Sequence, residues 1–256
     1  MSAPMSQPFI EPLQQPLPPG VRRLVADSGS ILPVEAAPRP LNQRELEERR
    51  LIHRHDTVRP QANAFRELRT RLLDLAGNRR FTTMVAPVSQ RCGGSFVARN
   101  LAAAFAFDDA KTAFLIDCDA RDPSQHEVLG VNARGGGLMD YLDDCTVSVS
   151  GLAHPTGIPR LSLIPAGRRR EIAGESLGSA RMRALVELLR DTDDERYLIL
   201  DSPPVLGSPD ARILSQLVDF VVLVAGYGRT TPANIEKAAD TFAPEKLAGV
   251  VFNHDC

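Results

Sequence analysis

Residues 82–102 set an apolar run, a short glycine-containing loop and a helix-forming stretch in direct succession, and this order constrains the fold more than any other feature. The run is Thr82-Thr-Met-Val-Ala-Pro87, the turn is Cys92-Gly93-Gly94-Ser95, and the helical stretch begins at Phe96-Val-Ala-Arg-Asn-Leu-Ala. A strand that feeds the N-terminus of a helix can cradle phosphate, because unpaired N–H groups and the positive end of the helix dipole face the anion. The general pattern G-x-x-x-x-G-K-[ST] lays onto Val88 to Ser95, with Gly93 as the second glycine and Ser95 as the magnesium-binding hydroxyl. Val88 then stands at the first glycine and Gly94 at the lysine. A Gly-Gly-Ser turn between a strand and a helix is common in α/β proteins, so the loop alone does not decide the chemistry.

The next two apolar runs strengthen the phosphate reading. Lys111-Thr-Ala-Phe-Leu-Ile-Asp117-Cys-Asp119 ends in two carboxylates at i, i+2, which share one face of an extended strand. Like charges so placed are costly unless a cation or a hydrogen-bonded water separates them, although solvated acids at a strand end would also fit. Tyr197-Leu-Ile-Leu-Asp201-Ser-Pro-Pro204 repeats the design. In a parallel sheet both aspartates and the loop lie at the carboxyl edge, where open α/β folds bind ligands.

Several segments, in order, resemble the cytoplasmic domain of bacterial tyrosine kinases of the capsule and exopolysaccharide pathways (BY-kinases), relatives of the deviant-Walker ATPases. Asn63-Ala-Phe-Arg66-Glu-Leu-Arg69 resembles the family's E-x-x-R-x-x-R helix, and Ser95 to Asn100-Leu-Ala the end of its P-loop. Leu115-Ile-Asp-Cys-Asp-Ala-Arg-Asp-Pro123 resembles its second Walker-type motif. Gly137-Leu-Met-Asp-Tyr-Leu142, Leu161-Ser-Leu-Ile-Pro-Ala-Gly167 and Asp201-Ser-Pro-Pro-Val-Leu206 resemble three further landmarks. The resemblance runs from about Arg59 to Asn253. It implies a P-loop NTPase-like α/β fold with a mostly parallel sheet covered by helices on both faces. It also implies ATP and Mg2+ as ligands, with Gly93, Gly94, Ser95 and Arg91 around the nucleotide. Asp117 and Asp119 take the catalytic positions, with Asp117 as the base for an attacking hydroxyl, and Ser95, Asp119 and Asp201 take the metal positions. Arg66 and Arg69 belong to a helix that supports self-association in that family. The implied partner is a membrane-embedded polysaccharide chain-length determinant or co-polymerase, with the chain at the inner face of the membrane through it.

The departures from the family pattern point the other way. Gly94 replaces the P-loop lysine, Arg91 the glycine of G-x-G-K, Phe96 the following threonine, and Asn63 the helix glutamate. Only three tyrosines are present (Tyr141, Tyr197, Tyr227), and no tyrosine-rich tail follows Asn253. Losing one preorganised stabilising donor typically costs about 3–4 kcal/mol, roughly 10²–10³ in rate, and a lysine carries a full charge. Two readings follow: a regulatory or scaffolding component whose catalysis is impaired, or an active kinase in which Arg91 or a partner's residue replaces the lysine. A partition-type ATPase is a weaker third.

Composition agrees with one α/β domain and a tail. Formal net charge −2 argues against a general nucleic-acid binder, so no nucleic-acid partner is expected. Cys92, Cys118, Cys145 and Cys256 have no C-x-x-C spacing, which suits reduced thiols in a cytosol. No window approaches eighteen apolar residues and no signal-peptide pattern is present, so a cytoplasmic location is expected. Residues 1–41 are proline-rich and aperiodic, the mark of a disordered tail that either docks a partner or merely links. Residues 42–58 read as an amphipathic helical lead-in and 59–256 as the domain. Apolar strands read at 82–85, 113–116, 161–164, 198–200, 220–224 and 250–252, with helices at 61–75, 96–107, 181–190, 211–217 and 234–242. Gly135-Gly-Gly137 reads as a loop. Arg168-Arg-Arg170 suits a solvated loop, or contact with phosphate, partner or lipid. His126 and His154 belong to no visible triad.

Overall fold

The computed structural model describes residues 38–54, 60–77, 79–133, 136–191 and 195–254. The tail reading of residues 1–37, Gly135 of the triple glycine and Cys256 lie outside the described residues. Seven strands form one sheet in the order β3-β4-β2-β5-β1-β6-β7. They are β1 (Thr82–Pro87), β2 (Thr112–Asp117), β3 (His154–Pro155), β4 (Leu161–Ile164), β5 (Arg196–Asp201), β6 (Phe220–Gly226) and β7 (Leu247–Asn253). All neighbours run parallel except β3 and β4.

The central strands are buried on both sides, which is why they carry no polar alternation. Successive residues face opposite layers. Met84, Phe114, Ile116, Leu198, Leu200 and Leu223 join one apolar cluster, while Val85, Ala113, Leu115, Ile199, Val222 and Val224 join the other. Helices α1 (Gln43–Glu48), α2 (Pro60–Leu75) and α3 (Gly94–Ala106) pack on the second layer. Helices α5 (Leu138–Asp143), α6 (Gly174–Leu177), α7 (Ala180–Asp191), α8 (Asp210–Leu214) and α9 (Pro232–Ala239) pack on the first. A short helix, α4 (Gln125–Leu129), follows β2.

The segment before α2 is integral to the second layer. A reciprocal capping box starts α1, with Glu45 N–H donating to Asn42 Oδ1 at 3.0 Å and Asn42 N–H to Glu45 Oε2 at 2.9 Å. Leu46, Leu51 and Ile52 are then buried with α2 and α3. Asn100, fully buried on α3, clamps the turn: its Oδ1 accepts from Ile52 N–H at 2.8 Å, and its Nδ2 donates to the Arg50 carbonyl at 3.1 Å. Among the described residues no helix is long and apolar enough to cross a membrane.

Candidate functional site

The loop between β1 and α3 turns through two residues with positive φ, Arg91 at 61° and Gly93 at 81°. Arg91 is exposed, and among the described residues its guanidinium has no ion-pair partner. Gly93 is the N-cap of α3, and a Cβ there would lie 2.0 Å from Asn253 Nδ2, an atom that donates to the Cys92 carbonyl at 3.2 Å. The last residue of β7 therefore braces the loop from behind. The Cys92 thiol is raised by burial, but hydrogen bonds with Ser89 (3.3 Å) and Thr230 (3.4 Å) outweigh this and leave it below its ordinary pKa.

Gly94 opens α3 against the end of β1. A Cβ built on it would sit 2.7 Å from both Cδ and Cγ of Pro87 and 3.0 Å from its Cβ. These are backbone-anchored ring atoms that cannot swing away. The space in which a side chain would leave position 94 is filled by proline.

Asp117 and Asp201 end adjacent strands and are register partners across the β2–β5 pair. Both are buried. Burial, and then the neighbouring Asp201, push the Asp117 carboxyl well above the usual carboxylate range. Burial pushes Asp201 up to about 7, against hydrogen bonds from Gln125 and Ser95 that pull it down. Asp119 is raised by burial too, while its Oδ1 accepts from the backbone N–H of Arg121 (3.2 Å) and Asp122 (3.3 Å). The structure thus gathers Ser95, Asp117, Asp119 and Asp201 at the carboxyl edge of the sheet. Among the described residues no three His, Cys, Asp or Glu side chains converge as a metal-ligand set.

Two residues at this edge carry no motif. Gln125 sits between the loop and both strands, with Nε2 donating to Asp201 Oδ2 at 2.6 Å and to the Ser95 carbonyl at 2.9 Å. Arg99, one turn along α3 from Ser95, is half-buried: burial lowers its pKa and Asp201 opposes that shift. Its i+4 spacing from Ser95 was the available signal. For Gln125 the sequence held none.

Arg66 and Arg69 lie away from this edge. Arg66 donates to Asn63 Oδ1 at 2.9 Å and to the Arg54 carbonyl at 3.0 Å, and Arg69 to the Ala104 carbonyl at 2.8 Å. With Arg54 and Asp109 they line a surface cavity of about 460 Å³. Two of the three loop arginines are neutralised: Arg168 pairs with Asp140 at 2.8 Å, and Arg170 pairs with Asp143. Gly137, the last residue of the glycine triplet, is a close-packing point, since a Cβ there would lie 2.4 Å from the Pro165 carbonyl.

No family model matches the chain. It is 33% identical over 193 residues to the tyrosine-protein kinase wzc of Salmonella typhi, an overlap of 74% of this chain and 26% of wzc. It is 27% identical to the tyrosine-protein kinase CpsD of Streptococcus agalactiae over 74% of this chain and 81% of CpsD. The chain thus spans about a quarter of the length of the curated relatives it matches first. Among solved structures, the kinase domain of the Escherichia coli tyrosine kinase ETK superposes with a TM-score of 0.71 at 24% identity, covering 86% of this chain and 89% of that one. The BceF tyrosine kinase domain gives 0.66 at 26% identity, covering 92% and 97%. The septum site-determining protein MinD of Pyrococcus horikoshii, complexed with Mg-ADP, shares the fold at 0.53 and 19% identity, covering 68% of each chain. The strand–loop–helix, the aspartate-ended strands and these likenesses agree: the chain belongs to the bacterial tyrosine kinase (BY-kinase) family and has its P-loop NTPase fold.

Proposed function

We propose that this protein regulates or scaffolds capsule or exopolysaccharide biosynthesis and export as a BY-kinase-like component whose phosphoryl transfer is impaired. The observation that carries this reading is the Pro87–Gly94 contact. The residue aligned with the P-loop lysine has no side chain, and a proline ring fills the space from which one would start. Phosphoryl transfer depends on charge held against the oxygens that gain it, and position 94 supplies none. The backbone N–H groups at the start of α3 still suit an anion, so weak ATP binding with Mg2+ is compatible with the loop. Ser95, Asp119 and Asp201 take the family's metal positions, where a cation would supply positive charge to the phosphates, but here the Gln125 amide already joins Ser95 to Asp201. Asp117 would take the proton of an attacking hydroxyl, but burial and Asp201 favour its protonated form. In this reading the chain works against a membrane-embedded chain-length determinant or co-polymerase, at the inner face of the membrane, with self-association through the Arg66–Arg69 helix.

The test is magnesium-dependent ATP turnover together with nucleotide titration, with Asp119→Ala as the control. The expected result is weak or no binding and no measurable turnover. Turnover at the rate of an intact BY-kinase domain would overturn the reading. Exposed Arg91, in the loop itself, favours a second reading in which its guanidinium replaces the lysine; turnover that vanishes in Arg91→Ala would select it.

A further inference from the structure

Gln125 begins α4 with no exposed surface. Its Nε2 reaches Asp201 Oδ2 at 2.6 Å and the Ser95 carbonyl at 2.9 Å, and its own backbone N–H reaches Asp117 Oδ2 at 3.3 Å. The Ser95 hydroxyl also hydrogen-bonds to Asp201. The terminal atom that faces both Ser95 and Asp201 must be the amide NH2, because an oxygen there would meet two further acceptors. A divalent cation needs oxygen lone pairs converging on one point. Between Ser95 and Asp201 that point is faced by N–H donors, whose positive hydrogens repel a cation. Asp201 Oδ1 and Gln125 Oε1 are left buried without partners, so Gln125 meets Asp201 through Oδ2 alone.

We propose that Gln125 is a positioning residue whose carboxamide replaces a divalent cation at this junction, tying Ser95 to Asp201 without magnesium or nucleotide while its backbone N–H holds Asp117. The proposal rests on the impaired-loop reading, since an active site of this fold would need the position free for its metal. The carboxamide joins the start of α3 to β5 while the backbone N–H of the same residue holds β2, so truncating the side chain unpairs buried groups on α3 and β5.

The experiment compares thermal unfolding of the nucleotide-free chain in EDTA and in millimolar magnesium, for the wild type, Gln125→Ala and Gln125→Glu. The expected wild-type Tm is the same in both buffers, because a cation that binds the native state would raise it. Gln125→Ala is expected to melt several degrees lower in EDTA. Gln125→Glu places a third carboxylate at the junction, so it should also melt lower in EDTA and be restored by magnesium. A wild-type Tm that climbs with magnesium, or a Gln125→Ala Tm equal to wild type in EDTA, would overturn the proposal. Manganese electron paramagnetic resonance on the wild-type chain decides the matter even if neither variant folds: bound manganese without nucleotide overturns it. ATP turnover by the wild type would sink the impaired-loop reading while leaving the melting comparison to be judged alone. A magnesium-raised Tm without turnover would remove only the role given to Gln125.

Discussion

At the scale of single residues, Pro87 and Gly94 form a coupled pair. An alanine in place of a helical glycine ordinarily stabilises by about 0.5–1 kcal/mol. Here the added Cβ would meet the Pro87 ring at 2.7 Å, and overpacking of that kind costs about 1–3 kcal/mol. Gly94→Ala should therefore lower the Tm, and Pro87→Ala in the same chain should recover most of the loss; an unchanged or raised Tm for the single variant would show that the two positions are independent. By the same argument Gly94→Lys alone should not gain ATP affinity, whereas Gly94→Lys with Pro87→Gly should, as read by nucleotide titration. Gly94 was legible in the sequence because the P-loop pattern reserves its position. Pro87 was not, since nothing in the order of residues shows that the end of β1 faces the first residue of α3. Gln125 was illegible for a related reason: an amide eight residues beyond Asp117 belongs to no pattern until the chain turns back over the loop.

Elements were easier to read than their contacts. The apolar runs that became β1, β2, β4, β5 and β6 announce themselves because strands buried on both faces need no polar alternation. The two-residue β3 and the short helices α4, α5 and α6 hold too few residues for any periodicity to appear. The lead-in shows the same limit in another way. Its mixed charges and few apolar residues suggested an amphipathic helix, but not that a buried Asn100 on α3 would satisfy its turn. Replacing Asn100 by alanine leaves the Ile52 N–H and the Arg50 carbonyl without this partner, at about 1–3 kcal/mol for each buried group left unpaired. Asn100→Ala should thus lower stability by about 2 kcal/mol or more and open residues 38–54 to limited proteolysis before the rest of the domain. Simultaneous digestion of the two regions would mean that the clamp is not what holds the segment.

For the molecule as a whole, the carboxyl edge of the sheet sets how stability responds to pH. Asp117 and Asp201 are register partners, buried side by side, and both are raised above the ordinary value of 3.8, Asp201 to about 7. Between about pH 4 and pH 7 the native chain therefore holds protons that the unfolded chain releases, so the stability of the fold declines as pH rises through that window. Asp108 and Asp140 act in the opposite sense. Lys111 bonded to Asp108, and Arg168 and the Gly137 N–H bonded to Asp140, outweigh burial and hold both carboxyls below their ordinary value, so their contribution is lost only as pH falls below about 4. The two sets together place the stability maximum on the acid side of neutrality, which a series of Tm measurements across pH would locate. Asp201→Asn keeps an oxygen for the Gln125 amide and removes the buried charge. It should flatten the decline between about pH 4 and pH 7 and melt above the wild type at alkaline pH. If the decline survives in both Asp201→Asn and Asp117→Asn, two buried acids at the ends of β2 and β5 are not its source.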